Sequence, residues 1–185
     1  MGRSKAEKFG WAQTPVLLFL QLGIGQVSTS EVNGMPKYRS TKTYTSERGY
    51  AVAYRQWRAE SHCNKIHGYA LGFHFEFESD DLDARNWVVD FGSLKSLKAK
   101  LDDWFDHTCL VSEDDPQFAW FEQAHKDNII KMVVVAKTGC EGLAEWLYQY
   151  IDEVWMPENG YADRCRIVKV EVRETPSNSA SYNRS

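Results

Sequence analysis

Glu60-Ser61-His62-Cys63-Asn64-Lys65-Ile66-His67-Gly68-Tyr69 runs without a break into Ala70-Leu71-Gly72-Phe73-His74-Phe75-Glu76-Phe77-Glu78. The second half alternates. Leu71, Phe73, Phe75 and Phe77 fall on one side and small or polar residues on the other, which is the pattern of a half-buried strand. The first half gathers a thiol, two imidazoles and a phenol at the mouth of that strand. A strand end is stiff enough to hold reactive groups in fixed positions. Carried backwards, the alternation puts His67 and Tyr69 on the same side of the strand.

The rest of the chain supplies partners for this strand. Residues 38–46 and 50–58 are rich in Tyr, Thr and Val and are separated by Glu47-Arg48-Gly49, so both read as strand material. Residues 87–91 form a short extended piece leading into a helix that Ser93 can cap. Leu94, Leu97, Leu101, Trp104 and Phe105 line one face of that helix. Asp114-Asp115-Pro116 starts a weaker helix over residues 115–124, with the proline in its first turn. Residues 129–135 make a continuous apolar strand. Residues 141–154 make a second strong helix, with Leu143, Trp146, Leu147, Tyr150 and Ile151 inward. Residues 165–174 make the last strand, with Val168, Val170 and Val172 sharing a face and Glu174 in phase with them. The leucine and tryptophan stripes are core. Glu76, Glu78, Asp80, Asp81 and Asp83 read as a solvated acidic face and turn. Strands, helices, strand, helix, strand predict an α+β fold, an antiparallel sheet with helices on one face.

The chain has 185 residues, enough for one domain with a real core. Its net charge of −4 leaves no electrostatic footprint for nucleic acid, although a pocket can still be locally basic. Cys63, Cys109, Cys140 and Cys165 show no Cys-x-x-Cys pair and read as reduced thiols of a cytoplasmic protein.

Residues 1–34 differ from the remainder. Arg3, Lys5 and Lys8 precede an apolar run from Pro15 to Val27, which has the outline of a signal peptide. Gln21, Gly23 and Gly25 interrupt the run, and it is too short to span a membrane. Gly2 suggests myristoylation, but Ala6 stands where that motif wants Ser or Thr. The expectation is a leader outside the core or mis-started at residues 1–34, one domain over 35–176, and a frayed tail at 177–185.

Five ordered motifs carry a resemblance to a known family. Cys63-x-x-x-His67-Gly68 is similar to Cys-x-x-x-His-Gly-His of the 6-pyruvoyl-tetrahydropterin synthase superfamily, and more closely to its bacterial 6-carboxytetrahydropterin synthases of the queuosine pathway. Trp87-Val88-Val89-Asp90-Phe91 with Leu94, Asp106-His107-x-x-Leu110, Glu141-Gly142-Leu143-Ala144, and Val172-Arg173-Glu174-Thr175 resemble four further blocks of that family in the same order. The resemblance covers most of residues 50–175. It implies the tunnelling fold, in which subunits join their sheets into a barrel, commonly as a homo-hexamer. It implies Cys63, Asp106 and His107 as catalytic groups, with Glu174 and Glu141 at the pterin. The substrate class it implies is 7,8-dihydroneopterin triphosphate, with no nucleic acid or membrane partner. Zinc is the implied cofactor, with His67 as a ligand.

The departures bear mainly on that metal. Tyr69 replaces the second histidine of His-Gly-His. The family's upstream zinc histidine falls on Tyr54 if aligned on Ala53-Tyr54-Arg55, or on His62 if aligned on Ala59-Glu60-Ser61-His62. A catalytic zinc wants three protein ligands and an open position. His62 and His67 are the expected ligands, with Tyr69, Cys63 and His74 as candidates for the third. Gly139 and Cys140 replace the residues expected just before Glu141.

The chemistry suits these residue types. Moving protons on a carbon side chain needs a positioned base, which a thiolate can supply, and an electrophile for the adjacent oxygen. His107, oriented by Asp106, can shuttle a proton. A carboxylate at Glu174 can accept two hydrogen bonds from an aminopyrimidine edge. Arg55, Arg58 and Lys65 can meet a triphosphate. The expected function is a 6-carboxytetrahydropterin synthase-like lyase. The alternatives are the pyruvoyl-forming synthase, or a non-catalytic relative that binds a pterin or purine and has lost its metal.

Overall fold

The computed structural model describes residues 37–184. The expectations for residues 1–34 lie outside the described residues. The fold grows from β3, His67–Ser79, whose Leu71, Phe73, Phe75 and Phe77 are all buried. Strands β1 (Tyr38–Tyr44) and β2 (Tyr50–Tyr54) both pair antiparallel with β3, Tyr44 opposite Phe73 and Tyr50 opposite Leu71. They lie end to end along one edge of it, like a single strand with Thr45–Gly49 looped out. Gly49, at φ 81°, closes that loop, and a Cβ added there would meet no neighbouring atom. Gly49→Ala therefore bears only the cost of a left-handed backbone, about 1–2 kcal/mol, read as a lowered urea midpoint with an unchanged slope.

The 7-stranded sheet continues on both sides. Beyond β2 come β4 (Thr108–Ser112) and β5 (Met132–Val135), each added in parallel, with Val52 opposite Thr108 and Cys109 opposite Met132. Beyond β3 come β6 (Arg166–Arg173) and β7 (Ser179–Asn183), both antiparallel. The α+β expectation holds, with a parallel extension at one side. Strand β4 is absent from the sequence reading: Thr-Cys-Leu-Val-Ser is buried at every position, so it shows no alternation. Residues 179–183, expected in a frayed tail, instead pair with β6 as β7, Ala180 lying opposite Val172.

Helices α1 (Leu94–Phe105) and α3 (Cys140–Tyr150) cover one face of the sheet. Leu94, Leu97, Leu101 and Phe105 of α1, and Leu143, Ala144 and Leu147 of α3, pack on the apolar side of β2, β3 and β6. Helix α3 continues through a π-helical turn, Ile151–Trp155, into the short α4, Met156–Glu158. Ser93 precedes α1 without capping it, because its hydroxyl turns back to the Asp90 carbonyl (2.7 Å) and Tyr161 (2.8 Å). Helix α2 (Phe118–Lys126) starts after a turn in which Asp115 accepts from the Gln117 N–H at 2.8 Å.

Val168 departs from its expected phase. The β3–β6 register shifts between Glu76 and Phe77, which pair with Lys169 and Ile167. Val168 is the extra residue, and the bulge turns Ile167 into the core in its place. Past the bulge, Val170 and Val172 keep the expected inward phase. The opposite face of the sheet is charged. Glu78 is only 8% exposed and binds Arg39 and Arg166, and Glu76 meets Arg39, His74 and Lys169. These two carboxylates are therefore members of an ion-pair network across β1, β3 and β6, a correction to their reading as a solvated face.

Candidate active site

The apolar layer opens at the start of β3. Tyr54 stands opposite His67 in the β2–β3 ladder, and Tyr69 follows His67 by one pleat. The three rings form a compact triangle, with centroids 5.4 Å apart for Tyr54–His67, 5.8 Å for Tyr54–Tyr69 and 5.3 Å for His67–Tyr69. Tyr54 is 1% exposed. Its hydroxyl reaches across β3 and donates a short hydrogen bond to Glu174 Oε1. Glu174 follows the end of β6, and its own N–H donates to the Asn178 carbonyl (3.1 Å) in the turn to β7.

Cys140, the first residue of α3, lies beside the same carboxylate. Burial first, then the charges of Glu174 and Glu141, push its thiol up to about 12. Burial and the hydrogen bond to Glu174 hold the Tyr54 phenol far above its ordinary range. Tyr69 is raised by burial and by the nearby Glu174 charge. Both phenols therefore stay protonated and act as O–H donors at neutral pH.

Cys63 sits in a one-turn 3-10 helix, His62–Asn64, directly before this triangle. The Ser61 hydroxyl accepts from the Cys63 N–H (3.3 Å), and the Gln56 N–H donates to the Cys63 carbonyl (2.9 Å). The Gln56 side chain in turn donates to the Thr138 carbonyl at 3.0 Å, tying the cysteine loop to the approach to α3. At φ 94°, a Cβ at position 139 would stand 1.9 Å from Gln56 Nε2 and displace that side chain. Gly139 thus permits the contact between the two loops. Glu141 is exposed in the first turn of α3.

Asp106 and His107 are paired, Nδ1 to Oδ1 at 2.7 Å, but they lie elsewhere in the chain. They precede β4, whose Thr108 faces Val52, so they flank the start of β2 while Tyr54 ends it. Three residues of strand place the two ends roughly 10 Å apart. The His107 side chain is 85% exposed, and its backbone is left-handed at φ 55°. Histidine is one of the few side chains enriched in that conformation.

The residues present do not fit a three-ligand zinc site. His67 is the only imidazole in the triangle, and its Nδ1 donates to the Lys65 carbonyl at 2.7 Å. His62 is exposed. His74, a candidate third ligand, falls on the opposite face of β3 beside Thr43 (2.7 Å) and Glu76 (3.5 Å). Among the described residues, no three of His, Cys, Asp and Glu converge where a metal could be held.

The basic residues expected near a triphosphate are also differently placed. Arg55 pairs with the buried Asp115 (Nε to Oδ2 2.8 Å), and Arg58 pairs with Asp114. Hydrogen bonds from Arg58, Ser112 and Trp57 lower the Asp114 carboxyl well below its usual range. Lys65 is exposed and makes no ion pair among the described residues. Tyr54 and Cys140 complete the surroundings of Glu174. Tyr54 was visible in sequence as a position aligned with a family histidine, whereas Cys140 appeared only as a departure ahead of Glu141.

Comparison with known proteins gives a consistent picture. A family model described as 6-pyruvoyl tetrahydropterin synthase matches residues 43–185. The chain is 24% identical over 159 residues to the 6-carboxy-5,6,7,8-tetrahydropterin synthase of Aquifex aeolicus, covering 79% of this chain and 98% of that protein. It is 29% identical over 120 residues to the protein of the same name from Bacillus subtilis, covering 65% and 69%. Among solved structures, an uncharacterized protein of Wolinella succinogenes superposes with a TM-score of 0.66 at 21% identity, over 80% of this chain and 98% of that one. The Plasmodium vivax 6-pyruvoyl tetrahydropterin synthase superposes with a TM-score of 0.53 at 16% identity, over the same shares. With its tunnelling fold and a family model matching residues 43–185, the chain belongs to the 6-pyruvoyl tetrahydropterin synthase family.

Proposed function

We propose that this chain is a lyase of the 6-carboxytetrahydropterin synthase type, acting on the side chain of 7,8-dihydroneopterin triphosphate. The observation that carries the reading is the convergence of Glu174, at the end of β6, with the strand end that follows Cys63. Glu174 accepts from Tyr54 through Oε1. Its second oxygen can take a donor from the aminopyrimidine edge of a pterin. Cys63, one short turn away, is the base that removes a proton from the pterin's side chain. Lys65, free of ion pairs among the described residues, meets the phosphates.

Asp106 and His107 lie beside the start of β2, roughly 10 Å along the strand from Tyr54 at its other end. Their exposure favours service in a neighbouring copy's site, within the barrel oligomer that the family resemblance implies. Cys63→Ala and His107→Ala are then each inactive. Mixed under conditions of subunit exchange, they regain about a quarter of wild-type turnover, because half of each contributing residue is intact and the two assort independently. No recovery after proven exchange would place both groups in one chain's site and refute the composite arrangement.

One observation favours a second reading, a pterin- or purine-binding relative without turnover. Phenols occupy two corners of the ring triangle at which the family resemblance expects imidazoles. Retention of the Asp106–His107 pair supports the enzyme over the binder.

A further inference from the structure

The triangle of Tyr54, His67 and Tyr69 has the dimensions of a metal site and the wrong chemistry for one. Three imidazoles bound to one zinc at about 2.0–2.1 Å have ring centroids about 5 Å apart. The centroids here are 5.3, 5.4 and 5.8 Å apart. The backbone frame, a cross-strand pair plus the next residue on the same face, is thus the right size to hold three histidines around an ion. Zinc in proteins is held by thiolate, imidazole and carboxylate, and two of these three corners are phenols. One of the two is also engaged, since the Tyr54 O–H donates to Glu174. The Tyr69 hydroxyl makes no hydrogen bond among the described residues, although its ring lies against both other corners.

We propose that this pocket works without a bound metal, with Tyr54 fixing the Glu174 carboxylate and the Tyr69 hydroxyl serving as the electrophile toward the ligand's side-chain oxygen. This rests on the functional reading above and deepens it. The hydroxyl-bearing carbon next to the ring first becomes a carbonyl by tautomerisation with the ring C=N, and when Cys63 then takes the proton from the neighbouring carbon, the C–H electron pair moves toward that carbonyl oxygen, where negative charge develops. A fixed O–H donor stabilises that charge by hydrogen bonding and keeps its own proton. Nothing is oxidised or reduced in this step, and the proton held by Cys63 is available to be returned at another carbon. Tyr54 is a positioning residue in this scheme, since it reaches the ligand only through Glu174.

The first test is zinc content, read by atomic emission on the full chain after dialysis against zinc chloride and then buffer. Wild type retains no stoichiometric zinc. The Tyr54→His/Tyr69→His double variant, which restores three imidazoles to a frame of suitable size, retains about one per chain. Stoichiometric zinc in the wild type would overturn the proposal, and if the double variant does not fold, the wild-type content alone decides it. The second test is Tyr69→Phe, expected to lower kcat by on the order of 10²–10³ with little change in KM. Tyr54→Phe should instead raise KM for the pterin. An unchanged kcat in Tyr69→Phe overturns the electrophile role. Zinc content is read without any pterin. A wild type that lacks both zinc and turnover thus loses the functional reading and the role of Tyr69 together, while its metal-free pocket stands.

Discussion

Cys63→Ala removes turnover, by on the order of 10²–10⁴-fold or more, while affinity for the pterin stays nearly that of wild type. A base, the role proposed for Cys63, acts in the chemical step, and its loss is felt in kcat instead of in ground-state binding. The structure makes this a clean substitution. Cys63 is half-exposed in a one-turn helix whose hydrogen bonds, from Gln56 and to Ser61, all run through its backbone. Removing the sulfur leaves those bonds intact. Single-turnover kinetics and equilibrium titration on the same preparation separate the two effects. Equal losses in both would make Cys63 a packing residue.

Glu174→Gln lowers pterin affinity about tenfold to a hundredfold, the equivalent of roughly 1.5–3 kcal/mol for charge-assisted hydrogen bonds. The amide keeps the size of the carboxylate, and its carbonyl oxygen still accepts from Tyr54. The net charge and the second acceptor oxygen are lost. Thermal stability should change little, because Glu174 is half-buried at a strand end and its N–H bond to Asn178 belongs to the backbone. Fluorescence titration with a pterin reads the affinity directly. Unchanged affinity would move the binding pocket away from β6.

The fold was legible in the sequence where one face of an element is buried and the other is not. Strand β3 and the stripes of α1 and α3 show this plainly, and their periods of 2 and 3.6 identify them. Legibility ended where that contrast disappears. Strand β4 is buried on both faces and β7 is a mostly exposed edge, so neither alternates clearly. Val168 reads as inward by simple counting, and only the bulge opposite Glu76 and Phe77 turns it out. Glu76 and Glu78 look like a solvated run because their partners Arg39, Arg166 and Lys169 come from distant segments.

The site divides the same way. Glu174 could be placed from its phase with Val170 and Val172, and it is found beside Tyr54 and Cys140. Motif order could not say that Asp106 and His107 flank the far end of β2, since that depends on the parallel register of β4. Nor could it say that Arg55 and Arg58 are engaged by Asp115 and Asp114 across the sheet. Among the described residues, no helix is long and apolar enough to cross a membrane.

The most direct measurement is incubation of the purified full chain with 7,8-dihydroneopterin triphosphate, with products identified by mass spectrometry. The functional reading predicts release of triphosphate and of a two-carbon fragment and appearance of 6-carboxytetrahydropterin, and the metal-free pocket proposed above predicts that this turnover persists in the presence of a chelator. A protein that binds the pterin and returns it unchanged, with and without added zinc, would contradict it.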